Sequence, residues 1–90
     1  MTTQKLQLGQ LLITSTAKKK LHLPDALKAL IRHENCDFGE VSEGDKEANR
    51  EALETGDRIL SAYIDRNGVR FWIITEGDRY STTILMPEDY

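Results

Sequence analysis

The chain has one cysteine, two prolines and only six aromatic side chains in ninety residues, and no apolar run exceeds a few residues. Each scarcity excludes something. A lone Cys36 cannot close an internal disulfide, so the fold must be held by packing. The longest apolar stretch, Phe71-Trp72-Ile73-Ile74, is far short of the roughly 20 residues a membrane-spanning helix needs. The first ten residues show neither a charged-then-apolar signal pattern nor a small-residue cleavage site, so a cytoplasmic protein without membrane contact is expected. No CxxC, nucleophile triad or phosphate loop is legible, so the reading leans toward a non-enzyme without closing the question. His33 and Cys36 offer two ligands at a helix end, whereas zinc takes three or four. The reading is no metal and no cofactor, with His33 a helix-end cation and Cys36 a small loop or core residue.

What is present is a globular composition, 39% hydrophobic and 30% charged, sized for a single domain over residues 1–90 with a loose tail over 1–7. The net charge of −3 hides a division: residues 1–33 balance at +5, residues 34–57 at −7, and the remainder at −1. Such blocks either steer a charged partner or attract each other within the fold.

The pattern predicts an α+β fold, with two to three short N-terminal helices packed on a C-terminal three-stranded antiparallel β-meander. Gln10 to Thr14 suits a short strand or the entry to a helix. Thr14, Ser15 and Thr16 can each cap a turn in which Ala17 and Leu21 share a face. A second helix is expected over Pro24 to His33, with Leu27, Leu30 and Ile31 as its buried stripe and Asn35 as its stop. Phe38 pins the next loop to the core. Ser42-Glu43-Gly44-Asp45 has capping-box spacing and opens a helix to about Glu54, ended by Gly56. Arg58–Ile64, Val69–Thr75 and Ser81–Met86 form the meander, with its first turn at Asn67-Gly68 and its first and third strands as edges.

Three surfaces invite function. The acidic stretch carries Glu40, Glu43, Asp45, Glu47, Glu51 and Glu54, and its like-charge pairs four residues apart cost helix stability, which leans toward a contact surface for a protein partner. Arg70, Asp78, Arg79 and Tyr80 lie on or beside the meander. Asp78 and Arg79 either cap the hairpin through a salt bridge or form the rim of a contact surface with Tyr80 and Tyr90. Arginines beside Tyr63 and Tyr80 on an antiparallel sheet also sketch the outline of small ribonuclease toxins, the second reading, in which cations and a His or Tyr would act on a ribose hydroxyl. Lys18-Lys19-Lys20 is the only basic run and supports a third reading, a weak nucleic-acid-binding regulator; the pI near 5.3 disfavours nucleic acid.

Arg58-Ile-Leu-Ser-Ala-Tyr63, Trp72-Ile-Ile-Thr-Glu-Gly-Asp-Arg79 and Thr82-Thr-Ile-Leu-Met-Pro-Glu-Asp-Tyr90 resemble a family of small plasmid-related proteins carried on bacterial plasmids, phages and integrated elements. The likeness runs back through Asp37-Phe38-Gly39-Glu40, Asn49 and Leu53, with Phe38 in place of an expected Trp and Tyr80 in place of an expected Ser. It brings no assigned reaction, cofactor or catalytic residue. What it implies is context: a cytosolic factor of a mobile element, acting by binding a protein of host defence or plasmid maintenance.

Overall fold

A computed structural model describes residues 5–90. Seven elements follow one another: β1 (Gln10–Ile13), α1 (Ser15–Lys20), α2 (Leu23–Glu34), α3 (Glu43–Thr55), β2 (Ile59–Ile64), β3 (Arg70–Thr75) and β4 (Ser81–Leu85), with a 3-10 turn over Pro87–Asp89. Each neighbouring pair of the three C-terminal strands is antiparallel, as expected, but the sheet is four-stranded and mixed. Its order is β1-β4-β3-β2, and β1 pairs parallel to β4 with Gln10 opposite Ser81 and Ile13 opposite Ile84. The expected third-strand edge is therefore an interior position, and the edges are β1 and β2. β1 has no alternation to announce it. Its strand character comes from the ladder with β4, seen in the bonds from Gln10 N to Tyr80 O (2.9 Å) and from Thr14 N to Ile84 O (3.0 Å).

The caps follow sequence chemistry. Thr14 Oγ accepts from Ala17 N to start α1, and Ser42 Oγ accepts from Asp45 N to start α3. Gly56 ends α3 in the left-handed conformation (φ 82°). α2 ends differently: Cys36 takes the left-handed place (φ 64°), Cys36 N donates to His33 O and Asp37 N to Arg32 O, the paired bonds of a Schellman cap.

α2 buries only part of the expected stripe. Ala26, Ala29, Leu30 and His33 turn inward, while Leu27 and Ile31 are each 59% exposed. The apolar arc of α2 is about 200° wide, twice what a core-facing stripe needs, so one side of it must face out. The inward side was chosen by His33, which is fully buried and not a helix-end cation. Its Nδ1 lies 2.6 Å from Ser61 Oγ and its Nε2 2.8 Å from Thr75 Oγ1. Thr75 Oγ1 is 2.8 Å from Thr82 Oγ1, which donates to Leu8 O at 2.7 Å. The far end sets every proton. Thr82 gives its hydrogen to Leu8, so Thr75 donates to Thr82 and accepts from His33 Nε2–H, leaving Nδ1 to accept from Ser61. Burial pulls the His33 pKa down to about 4, so the ring is neutral at pH 7.

Around this polar thread lies the core. Ala17, Ala26 and Leu30 pack on Tyr63, Phe71 and Ile84; Phe38 joins Leu6, Ala52 and Ile59, pinning its loop as expected. Of the tail expected over 1–7, residues 1–4 lie outside the described residues; Leu6 is buried and donates its N–H to Glu34 O (2.8 Å), so the tail does not extend to it.

The β2–β3 turn is not a two-residue Asn67-Gly68 hairpin. Only Gly68 has positive φ (80°), and Asp65 pairs with Val69 across a three-residue loop. Asp65 explains the choice. Its buried carboxylate accepts from Asn67 N, Val69 N and, across the fold, His22 N. Burial pulls this carboxyl upward and the three backbone donors outweigh it, holding it below the usual range. The outer edge of β2 is closed by side chain and loop: Asn49 exchanges both amide bonds with Leu60, while Phe38 O and Glu40 N bond Ala62.

Candidate interaction surfaces

The acidic residues are all exposed, on α3 and the loop before it. Glu43, Glu47, Glu51 and Glu54 fall on one line along the helix, opposite the buried Asn49 and Ala52. Lys46 and Arg50 flank the line and bridge to Glu43 (3.6 Å) and Glu47 (2.8 Å). Such exposed pairs contribute at most about 1 kcal/mol. Asp45 lies off the line, on the side of Asn49, at a shallow depression with Arg58 and Leu60.

The four residues beside the meander do not form one site. Arg70 opens β3, and Asp78 to Tyr80 follow its far end, a strand length of about 17 Å away. Asp78 and Arg79 do not bridge each other in the way expected of a hairpin salt bridge. Asp78 Oδ1 accepts from Tyr80 N, and Arg79, itself left-handed (φ 61°), turns its guanidinium inward. Arg79 Nη1 donates to Asp57 O (2.7 Å), Glu76 O and Gly77 O, and Nη2 to Ala52 O (2.7 Å). It ties the β3–β4 turn to the C-terminus of α3, whose carbonyls attract a cation. Of the four, Arg70, Asp78 and Tyr80 are exposed, Tyr80 at 73%, and Arg79 is half-buried.

Arg79→Ala is therefore expected to lower stability by about 2 kcal/mol, since it removes charge-assisted bonds and keeps a strained backbone. Arg79→Gly removes the same bonds but sheds the strain, and should be about 1 kcal/mol more stable than the alanine variant. Urea unfolding of both variants reads the difference. A purely surface arginine would leave the midpoint unmoved.

Other side chains with chemical potential are committed elsewhere. Both ring nitrogens of His33 are engaged, so it cannot join Cys36 around a metal, and among the described residues no three His, Cys, Asp or Glu side chains cluster to hold one. Tyr63 is buried and donates to Asp37 O (2.6 Å); burial first of all pushes its phenol pKa well up. Arg32 lies over its ring at 5.0 Å and pairs with Asp37. Lys20 of the basic run bonds Glu88 at 2.7 Å. No helix among the described residues is long and apolar enough to cross a membrane.

One surface escaped the sequence reading. Between β1 and α2 runs an open apolar groove of about 260 Å3, with Leu11, Ile13 and Ile84 along the sheet, Leu23, Leu27 and Leu30 along the helix, and Lys18 as its charged lining residue. The legible signal was the excess width of the apolar arc on α2, which no single buried stripe uses up. No protein-family model, no curated protein and no solved structure matches the chain.

Proposed function

We propose that the protein acts by binding another protein through the exposed face of α3, as a non-enzymatic factor of a bacterial mobile element. The observation that carries this reading is the line Glu43–Glu47–Glu51–Glu54, wholly on the solvent side of α3. Two successive like-charge pairs four residues apart, Glu43 with Glu47 and Glu47 with Glu51, cost the helix a few tenths of a kcal/mol each. The bridges to Lys46 and Arg50 return part of that cost for Glu43 and Glu47, whereas Glu51 and Glu54 have no salt bridge among the described residues, and α3 is held on its other side by Asn49, Ala52 and its two caps. A row of carboxylates steers a partner with a basic surface and sets the orientation of the encounter. The resemblance to plasmid-related proteins supplies the setting, host defence or plasmid maintenance. The ribonuclease alternative draws on His or Tyr chemistry at the sheet, and the burial of His33 and Tyr63 weighs against it.

The test places a photo-crosslinking amino acid at Glu51 and, as a control, at Ile64, in cells that carry the element. A protein partner cross-linked from position 51 alone is expected, and the yield should fall at least tenfold with Glu47→Gln and Glu54→Gln together. Equal cross-linking from both positions, or ribonuclease activity of the pure chain abolished by Arg70→Ala, overturns the reading.

A further inference from the structure

We infer that the β1–α2 groove is the seat of a second copy of this chain, forming a closed two-fold dimer in which β1 pairs antiparallel with β1 of the partner. The surface is distinct from the α3 face. β1 is an edge strand, and its inner bonds use Gln10 N and Thr14 N. By the two-residue period of a strand, Leu12 also faces β4, and the N–H and C=O groups of Leu11 and Ile13 point to the open edge. A two-fold axis at Leu12 sets Leu11 opposite the partner's Ile13 and Ile13 opposite the partner's Leu11. Each is then a hydrogen-bonded antiparallel pair, and four backbone bonds form with no shift in register. A strand whose outward groups are spaced symmetrically about its middle residue is its own complement.

The side chains agree with that axis. Leu11 and Ile13 share the helix-covered face with Ile84, so pairing extends that face across the axis and brings the exposed Leu23, Leu27 and Ile31 of the two α2 helices over it. Leu12 meets its counterpart on the opposite face. Leu11, Ile13, Leu23, Leu27 and Ile31 on the helix-covered face and Leu12 on the other are 38 to 59% exposed, an apolar surface on the order of 500 Å2 in all around the edge strand. Joining two such patches removes on the order of 1,000 Å2 from water, where specific interfaces begin.

Charge separates this occupant from others. Lys18 is the charged side chain among the groove's lining residues, so a two-fold contact brings like charges toward each other and is strengthened by salt. Docking of an acidic segment, including α3 of another copy, would be weakened by salt.

Sedimentation equilibrium of the full chain decides the matter. The expected result is a dimer that does not grow further with concentration and whose dissociation constant falls as salt rises. Leu27→Lys puts a charge on a surface helix position and should weaken the dimer about 100-fold or more. Leu11→Pro removes an N–H that has no bond in the monomer and should do the same. Both variants should keep the wild-type circular dichroism spectrum. A monomer at high micromolar concentration, a mass that climbs without limit, association that salt weakens, or folded variants that remain dimeric would each overturn the inference.

Discussion

Replacing His33 with leucine should cost about 3 kcal/mol at pH 7 and close to nothing at pH 4. At neutral pH the variant leaves the Ser61 hydroxyl without its acceptor and the Thr75 oxygen without its donor, both in fully buried positions. Orphaned buried groups cost about 1–3 kcal/mol each, and leucine returns part of this through its apolar surface. The pH term runs the other way. The folded-state pKa of His33 is depressed to about 4, against 6.5 for an unperturbed ring. Above pH 6.5 neither state holds the proton and the native contribution is complete. Between 6.5 and 4 the unfolded chain binds a proton that the folded chain refuses, so the native protein loses stability at about 1.4 kcal/mol per pH unit. Below 4 both states are protonated and the loss levels off at about 3 kcal/mol. Leucine has no such term. Urea unfolding at pH 7, 5.5 and 4 should therefore show the two curves converging. A gap that stays constant would mean that the buried ring does not govern the acid limb.

A second stage of acid loss follows. Asp25 accepts three bonds from Arg66, and these hold its carboxyl down at about 2. Its contribution is complete above the ordinary carboxyl value of 3.8 and disappears as pH falls toward 2. Acid unfolding should thus begin at His33, in the α2–sheet seam, before the clamp between α2 and the β2–β3 turn releases.

The other large effect expected is at Gly39. An alanine there should cost about 2–5 kcal/mol, against about 1 for the same change at Gly68. Both glycines are left-handed, with φ of 72° and 80°. They differ in what a methyl group would meet. At Gly68 nothing lies within 4 Å, so only the backbone penalty applies. At Gly39 the new carbon would fall 2.1 Å from Ala62 O and 2.8 Å from the Tyr63 ring. The first is backbone of an edge strand bonded to Glu40 N, and the second is a buried side chain, so neither gives way cheaply. Thermal or urea unfolding of the two variants side by side isolates the clash from the backbone term. Equal losses would show that the loop before α3 moves freely from β2.

Local chemistry wrote much of this fold into the sequence. Ser42, Gly56 and Thr14 cap where their side chains or backbone demand, and the two-sided apolar run at Val69–Thr75 is the interior strand β3. Contacts far apart in sequence were not legible. The strand at Gln10–Ile13 depends on β4, seventy residues later, and carries no period of its own. The inward turn of α2 was settled by hydroxyls at Ser61 and Thr75, which no helical wheel contains. Arg79 looked like a surface cation because turns usually expose them; the α3 carbonyls drew it in. For the candidate surfaces, exposure of the α3 carboxylates followed from helical spacing, whereas the groove required knowing which apolar residues the core would leave over.

The amide of Asn49 has a consequence for the whole molecule as a solute. A native sheet can propagate into a filament only if each copy offers two extendable sides. Asn49 and the Phe38–Glu40 loop occupy the backbone groups of Leu60 and Ala62, and the carboxylate-rich helix stands beside them. β1 is left as a single growing point. A chain with one reactive end cannot polymerise through its strands; it can only be terminated, and one amide side chain together with a three-residue loop sets that limit.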